Sequence, residues 1–218
     1  MTRKRQFKNN LYEQFSRLGK ALSSPRRLEI LDLLTQGPRT VESVALETDQ
    51  TLPNASQHLL ALKAAGLLQS TKLGLHVTYS LAGPNVASFL LAFRQLAEAQ
   101  IAEIERLSAT FFAESPEPVD VEELSRHLSR GDVVLLDVRP REEYESDHLP
   151  GALSVPIRDL ESELGRLPRK KRIVAYCRGP YCAYAHEAVK LLRKRGFKAD
   201  RLEEGVVEWR ALGLAVEA

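Results

Sequence analysis

Residues 173–185, IVAYCRGPYCAYA, join an apolar β-type run to a short loop and then to a helix-like segment. Gly179 and Pro180 favour a tight loop, with Cys177 at its base and a helix N-terminus at about Cys182. Backbone N–H groups and the positive end of a helix dipole stabilise an anion in such a loop, so we expect a lowered pKa for Cys177. Because a thiolate is a nucleophile, this stretch predicts reactive sulfur chemistry in the second half of the chain.

The sequence on both sides of this stretch alternates between strand-like and helix-like patterns. Predicted strands cover residues 133–138, 152–155, 173–176 and 198–202, and predicted helices cover 119–128, 141–147, 157–167, 182–195 and 206–212. Such alternation is typical of an α/β domain with a mostly parallel sheet.

The first half of the chain has a different, mainly helical pattern. Predicted helices cover 11–21, 25–34, 41–47 and 51–65, and two short strands follow over 67–81. A helix, a three-residue turn, a second helix and a β-hairpin together predict a winged helix-turn-helix, whose second helix fits the major groove of DNA.

The second helix of this pair begins with short polar side chains suited to nucleic-acid contact. Asn and Gln can read adenine edges, Ser and Thr can bond bases or phosphates, and Lys can neutralise phosphates. The predicted DNA-binding residues are Thr51, Asn54, Ser56, Gln57, His58, Lys63 and Lys72. Taken singly, each of these residues also fits a polar face exposed to solvent.

A long apolar stripe recurs at three- or four-residue spacing over 84–112. It predicts one helix of about seven turns, long for a small domain. Its single apolar face favours a homodimer through this helix, and packing on its own domain is the alternative.

Composition limits the class of protein. At 218 residues the chain suits two domains, which we place at 1–113 and 119–218 with the Pro- and Glu-rich residues 114–118 as a linker. Residues 1–80 hold 11 Lys and Arg against 6 Asp and Glu, so the positive charge lies where a polyanion would dock. No apolar run approaches the about 20 residues of a membrane span. Two cysteines five positions apart make no disulfide framework, so we expect a cytoplasmic protein.

The segments ALSSPRRLEILDLL (21–34), LPNASQHLLALKAAGLL (52–68) and HVTYSLA (76–82) resemble the ArsR family of bacterial repressors over roughly residues 10–110. The resemblance implies a dimeric winged helix that binds double-stranded operator DNA. Many relatives sense metals through Cys or His on two of their helices. The corresponding helices here, 41–47 and the predicted helix that contains Val86, have neither, so we expect no metal site in this domain.

The segments VVLLDVRPREEYESDHLPGALSVP (133–156), YCRGPYCAYA (176–185) and EEGVVEWRALGL (203–214) resemble the rhodanese family over roughly residues 117–218. The resemblance implies that Cys177 accepts sulfane sulfur as a persulfide from a small anionic donor such as thiosulfate or a persulfide. Residues Cys177, Arg178, Gly179, Pro180, Tyr181 and Cys182 would form the cradle. No cofactor is expected.

The residue types fit that chemistry. Arg178 adds positive charge where an anionic donor would approach. Asp137 and Arg139 are expected to order the neighbouring strand end through an ion pair. Related phosphatases and arsenate reductases need an Arg six positions after the Cys, and Ala183 stands there, which argues against oxyanion hydrolysis.

Cys182 has two interpretations that the sequence leaves open. It can act as a resolving thiol toward a persulfide or sulfenic acid on Cys177, or it can fill space at a helix start. A zinc site from Cys177, Cys182 and His186 has only three ligands and no familiar spacing, so we expect none.

Together the two halves predict a transcriptional regulator whose rhodanese domain senses sulfur or redox state through Cys177. The alternative is an enzyme, a thiosulfate or persulfide sulfurtransferase with an accessory DNA-binding domain. A third hypothesis, a DNA-binding module with an inactive rhodanese domain, is disfavoured by the presence of Cys177.

Overall fold

The structure is a computed structural model that describes residues 2–74, 76–113 and 118–218. The chain divides into two compact units between Ala92 and Phe93. Most of the predicted linker 114–118 lies outside the described residues, so the domain limits 1–113 and 119–218 stay predictions.

The first unit is a winged helix-turn-helix, as the sequence predicts. Its helices are α1 (Arg3–Leu22), α2 (Pro25–Leu34), α3 (Val41–Glu47), α4 (Leu52–Ala64) and the start of α5 (Pro84–Gln100). The strands β1 (Arg39–Thr40), β2 (Leu68–Leu73) and β3 (His76–Leu81) form an antiparallel sheet in the order β1-β3-β2.

Side-chain caps begin helices α3 and α4, and a buried apolar face positions α4. The Thr40 hydroxyl accepts a hydrogen bond from the Ser43 amide at 3.3 Å, and the Thr51 hydroxyl accepts one from the Asn54 amide at 3.4 Å. These caps satisfy N–H groups that a helix start leaves unpaired. Leu59 and Leu62 are fully buried on the inner face of α4, which turns the opposite face outward.

The predicted single helix over 84–112 is wrong. Two helices occupy this segment, α5 and α6 (Ala102–Phe111), because Ile101 between them is extended, with φ −118° and ψ 91°. No Gly or Pro lies between residues 85 and 113, so the local sequence carries no signal for the break. Beyond it, the Phe112 ring lies 4.8 Å from the guanidinium of Arg201 within the second unit. This long-range contact accompanies the change in direction, which helix propensity alone does not predict.

The second unit contains the predicted parallel sheet. Strands β4 (Val133–Asp137), β5 (Leu153–Ser154), β6 (Arg172–Tyr176) and β7 (Ala199–Arg201) pair in the order β5-β4-β6-β7, all parallel. The helices are α7 (Val121–Arg130), α8 (Arg141–Ser146), α9 (Leu160–Glu163), α10 (Ala183–Lys194) and α11 (Val206–Ala211), and a short 3-10 turn (Leu164–Arg166) follows α9.

Alternate residues of β6 belong to two apolar cores on opposite faces of this sheet. Ile173, Ala175 and Cys177 belong to one core, and Val174 and Tyr176 belong to the other. This is the two-residue period of a strand covered on both faces. Cys177, the residue directly after β6, therefore still lies in the first of these cores.

Helix α7 begins two residues later than the sequence predicts. Val119 pairs with Leu202 in an isolated parallel bridge, and the Asp120 carboxylate caps α7 by accepting a hydrogen bond from the Glu123 amide at 2.6 Å. Within the described part of the chain, no helix is long and apolar enough to span a membrane.

Candidate functional site

The six-residue loop from Cys177 to Cys182, hereafter the cysteine loop, joins β6 to α10 at the carboxyl edge of the sheet. Gly179 has a φ of +144°, which side-chain-bearing residues rarely adopt, and a Cβ there would lie 3.1 Å from a carboxylate oxygen of Glu208. Gly205 approaches the loop even more closely, since a Cβ on it would lie 2.5 Å from the carbonyl of Arg178. Both glycines let the segment around Glu208 pack tightly over the loop.

The two cysteines are in direct contact. The Cys177 thiol donates a hydrogen bond to the backbone carbonyl of Cys182 at 3.4 Å, and the two thiols are close enough to shift each other's pKa. Backbone amides surround both sulfur atoms: those of Gly179 and Ala185 act on Cys177, and those of Arg178 and Tyr184 act on Cys182. The loop is thus a cradle for two sulfur atoms.

The lowered pKa lies on a different cysteine from the one that the sequence predicts. Cys177 is only 2% exposed, and burial, followed by its hydrogen bond to Cys182, raises the pKa of Cys177 well above its usual value. The hydrogen bond from Cys177 lowers the pKa of Cys182 to about 7, with help from the Arg178 and Tyr184 amides and against the effect of burial. The expectation of a lowered Cys177 pKa is therefore wrong, because the loop shields Cys177 from water. The thiols titrate as a pair whose first proton leaves near neutral pH.

Arg178 does not offer the free positive charge that the sequence predicts. Its Nη2 lies 2.6 Å from a carboxylate oxygen of Glu143, and its Nε lies 3.0 Å and 3.1 Å from the two oxygens. The Arg178 guanidinium also lies over the ring of Tyr184, 5.3 Å from its centroid. Arg178 is therefore held in place, and a buried carboxylate offsets its charge.

Carboxylates flank the cysteine loop within the second unit. The Tyr181 hydroxyl donates a hydrogen bond to Glu98 at 2.7 Å, and burial together with this bond raises the pKa of Tyr181 to about 12. Glu208 accepts hydrogen bonds from the Gly205 amide at 2.8 Å and from Arg94 at 2.6 Å. The sequence carries no signal for the contacts of Glu98 and Arg94, since both lie more than 80 positions before their partners.

Glu203 and Glu204 add to this acidic border. Burial, and next the charges of Glu203 and Glu208, raise the pKa of Glu204, although a backbone hydrogen bond opposes the shift. The charge of Glu203 also acts on the hydroxyl of Tyr181 in the cysteine loop. The surface around the cysteine loop is therefore more acidic than the presence of Arg178 in the loop implies.

The predicted ion pair between Asp137 and Arg139 is present and fully buried. Arg139 Nη2 lies 2.6 Å from Asp137, and the backbone amide of Arg139 bonds the same carboxylate at 2.9 Å. The Tyr176 hydroxyl donates to that carboxylate at 2.6 Å and accepts a hydrogen bond from the Leu149 amide at 3.1 Å. Because Tyr176 precedes Cys177, this network holds the strand end that carries the cysteine loop.

The predicted DNA-binding residues lie on α4 and the wing of the first unit. Thr51, Asn54, Gln57, Lys63 and Lys72 are exposed, and Ser56 and His58 are half-buried. Lys63 on α4 lies 2.6 Å from the Ser70 hydroxyl of β2, so it bridges the helix and the wing. In the part of the chain that the structure describes, no group of three or more His, Cys, Asp or Glu residues could hold a metal ion.

A winged helix-turn-helix and a parallel α/β unit with a cysteine loop define a transcriptional regulator that carries a rhodanese-like domain. The family "Bacterial regulatory protein, arsR family" matches residues 24–70, and the family "Rhodanese-like domain" matches residues 120–212. The chain belongs to the ArsR-type regulators with a C-terminal rhodanese domain, since it is 41% identical over 207 residues to the HTH-type transcriptional regulator Rv0324 of Mycobacterium tuberculosis. That alignment covers 95% of this chain and 92% of the relative.

Each half also has relatives of its own. A protein named sulfurtransferase, from Allochromatium vinosum, is 29% identical over 102 residues, which is 46% of this chain and 94% of the relative. The solution NMR structure of the homodimeric winged helix-turn-helix DNA-binding domain of Mb0332 from Mycobacterium bovis is 41% identical. The match covers 43% of this chain and 87% of the Mb0332 chain, with a TM-score of 0.42.

Proposed function

We propose that this regulator accepts sulfane sulfur on Cys177 and that the modification changes its affinity for operator DNA. The observation that carries the proposal is the cysteine loop, in which the Cys177 thiol lies 3.4 Å from the Cys182 carbonyl and backbone amides favour the thiolate of each cysteine. Amides placed in this way stabilise thiolate and persulfide sulfur. A reducing cytoplasm would keep both thiols available.

The contact with Cys182 supplies a proton acceptor for Cys177. Cys182 has a pKa of about 7, close to the value that suits a general base at neutral pH. It takes the proton of Cys177, whose sulfur attacks the outer sulfur of a hydropersulfide donor, RSSH. The S–S bond of the donor breaks, the persulfide Cys177–S–SH forms, and the thiol RSH leaves.

The exposed face of α4 is suited to the major groove. Asn54 and Gln57 would read base edges, supported by Thr51, Ser56 and His58, while Lys63 and Lys72 would neutralise phosphates.

A homodimer would present two such helices to a two-fold symmetric operator. The predicted dimer helix 84–112 is interrupted at Ile101, so the proposed contact falls mainly on α5, where Leu96 is 61% exposed.

Two measurements on the full chain test the proposal. After anaerobic treatment with cysteine hydropersulfide, intact mass spectrometry and thiol counting should show added sulfur or the loss of both free thiols in the wild type, and neither change in Cys177→Ser. Operator fragments selected from genomic DNA should then bind reduced and treated protein with different affinities at one fixed salt concentration. A wild type that neither gains sulfur nor loses thiols would refute the sulfur chemistry, and equal affinities would refute the sensor function.

The alternative function is a sulfurtransferase with an accessory DNA-binding domain. Cys182, as a proton acceptor beside Cys177, favours repeated sulfur transfer as much as a single loading of sulfur on Cys177. Multiple turnovers from thiosulfate or a hydropersulfide to cyanide, combined with equal operator affinities, would support the enzyme rather than the sensor.

A further inference from the structure

We propose that Cys182 resolves the persulfide on Cys177, so that sulfane sulfur is converted into a Cys177–Cys182 disulfide and released sulfide. The inference rests on the proposed function, because it starts from sulfur loaded on Cys177. It assigns a different end state to the same site: an internal disulfide rather than a lasting persulfide.

Position is the first argument. The sulfur that Cys182 would attack lies 3.4 Å from the Cys182 backbone carbonyl, and the two thiols shift each other's pKa. Cys182 is the N-cap of α10, with extended φ −82° and ψ 127°, and its side chain makes no capping hydrogen bond. It can therefore change rotamer toward Cys177 without breaking a hydrogen bond that starts the helix.

Charge is the second argument. The Arg178 and Tyr184 amides and the charge of Arg178 all favour the thiolate of Cys182. A thiolate with a pKa near the ambient pH combines a substantial ionised fraction with good nucleophilicity. A residue that only fills space at a helix start requires none of these contacts.

Burial is the third argument. Cys177 is 2% exposed, so its sulfur offers little surface to an external thiol. Cys182 is inside the loop, where the reaction is intramolecular and gains the large rate advantage of proximity. The same enclosure that slows transfer to an external acceptor therefore favours the neighbouring cysteine.

The step balances without a further oxidant. The Cys182 thiolate attacks the Cys177 sulfur of Cys177–S–SH, the S–S bond of the persulfide breaks, and HS⁻ leaves with that electron pair. Overall, two protein thiols and RSSH give a disulfide, RSH and H₂S. The two thiols are oxidised and the sulfane sulfur is reduced to sulfide.

The test treats full-length protein with one equivalent of cysteine hydropersulfide without oxygen and measures sulfide, free thiols and intact mass after alkylation. We expect the wild type to release one equivalent of sulfide, to lose both thiols and to retain no added sulfur. Cys182→Ser should keep the added sulfur on Cys177 and release none as sulfide. Cys182→Ala repeats the test with a second side chain, and circular dichroism confirms the fold of each variant.

The outcomes separate the two proposals. Stable sulfur on Cys177 in the wild type, with equal sulfide release by wild type and Cys182→Ser, would overturn the resolving function and leave the proposed function intact. No sulfur on folded Cys182→Ser, together with no sulfide release and no thiol loss in the wild type, would overturn both proposals.

Discussion

The guanidinium of Arg178 lies 2.6 Å from the carboxylate of Glu143, which is fully buried. This pair offsets the positive charge that the loop sequence predicts for binding an anion. The charges of Glu98, Glu203 and Glu208 act near Gly179 and Tyr181 of the same loop, and Arg94 offsets part of them. A doubly charged donor therefore meets an acidic entrance.

We expect a hydropersulfide of low charge to load Cys177 faster than thiosulfate does, because repulsion slows the dianion. Glu203→Gln should raise the second-order rate with thiosulfate about twofold to threefold and leave the hydropersulfide rate nearly unchanged. Asp132→Asn, at the opposite edge of the sheet, is the matched control. Rates come from mass spectrometry of quenched samples. Two results together would contradict this electrostatic account. The wild type would load faster from thiosulfate than from the hydropersulfide, and Glu203→Gln would not raise the thiosulfate rate.

The rate of sulfur loading should depend on pH through the cysteine pair. Below a pH of about 7 both thiols are protonated and loading is slow, whereas above it the pair holds one thiolate and loading is fast. In Cys182→Ser the midpoint should move above about 8.5, because burial still raises the pKa of Cys177 and the proton acceptor is gone. Loading rates between pH 5.5 and 9.5 would check this, and coincident profiles would exclude Cys182 as the proton acceptor.

Asp137→Asn should destabilise the second unit by about 3–5 kcal/mol, because it leaves the buried charge of Arg139 without its partner. Arg210→Ala removes a half-exposed ion pair with Asp147 and should cost less than about 1 kcal/mol. Trp209 is the only Trp and lies in this unit, so its fluorescence during urea unfolding reports both values. Equal midpoints for the two variants would show that the Asp137 network contributes little.

Lys72→Ala should reduce the slope of log affinity against log salt by about one for a nonspecific DNA duplex, since one phosphate contact is lost. Gln57→Ala should instead cost about 1–3 kcal/mol on the selected operator and little on nonspecific DNA. Lys194→Ala on α10 serves as the charge control. If Lys72→Ala and Lys194→Ala give the same slope of log affinity against log salt, Lys72 of the wing does not contact a phosphate.

Leu96→Glu should weaken self-association if the homodimer uses α5, because the substitution places a charge on an apolar contact surface. Leu46→Glu makes the same change on α3, at a side chain that is 72% exposed, and should leave association unchanged. Sedimentation velocity over a range of concentrations measures both. An unaltered dimer in Leu96→Glu would move the interface away from this part of α5.

Local patterns predict most of the fold. The bounds of α3 follow from its Thr cap and apolar spacing, and the parallel sheet follows from the alternation of elements. The pairing of Asp137 with Arg139 is also predictable, because they lie two positions apart at one strand end.

Long-range contacts decide what the sequence does not predict. The break at Ile101 has no Gly or Pro, and the pairing of Arg178 with Glu143 spans 35 positions. The burial of Cys177 depends on Gly205 and Glu208, which pack over the loop from another segment. Sequence periodicity carries no information on such distant partners. The structure is therefore needed to learn which of the two thiols has the lower pKa and that the surface around the cysteine loop is acidic.

Cys177 also belongs to the same apolar core as Ala185 and Val189 of α10. An added sulfur atom at this position must find volume in a close-packed interior, and overpacking of this kind typically costs about 1–3 kcal/mol. That range equals the free energy by which an effector usually shifts a distant binding equilibrium. Under the proposed function, chemistry at a single atom would thereby be converted into mechanical strain on a helix, before any charge has changed.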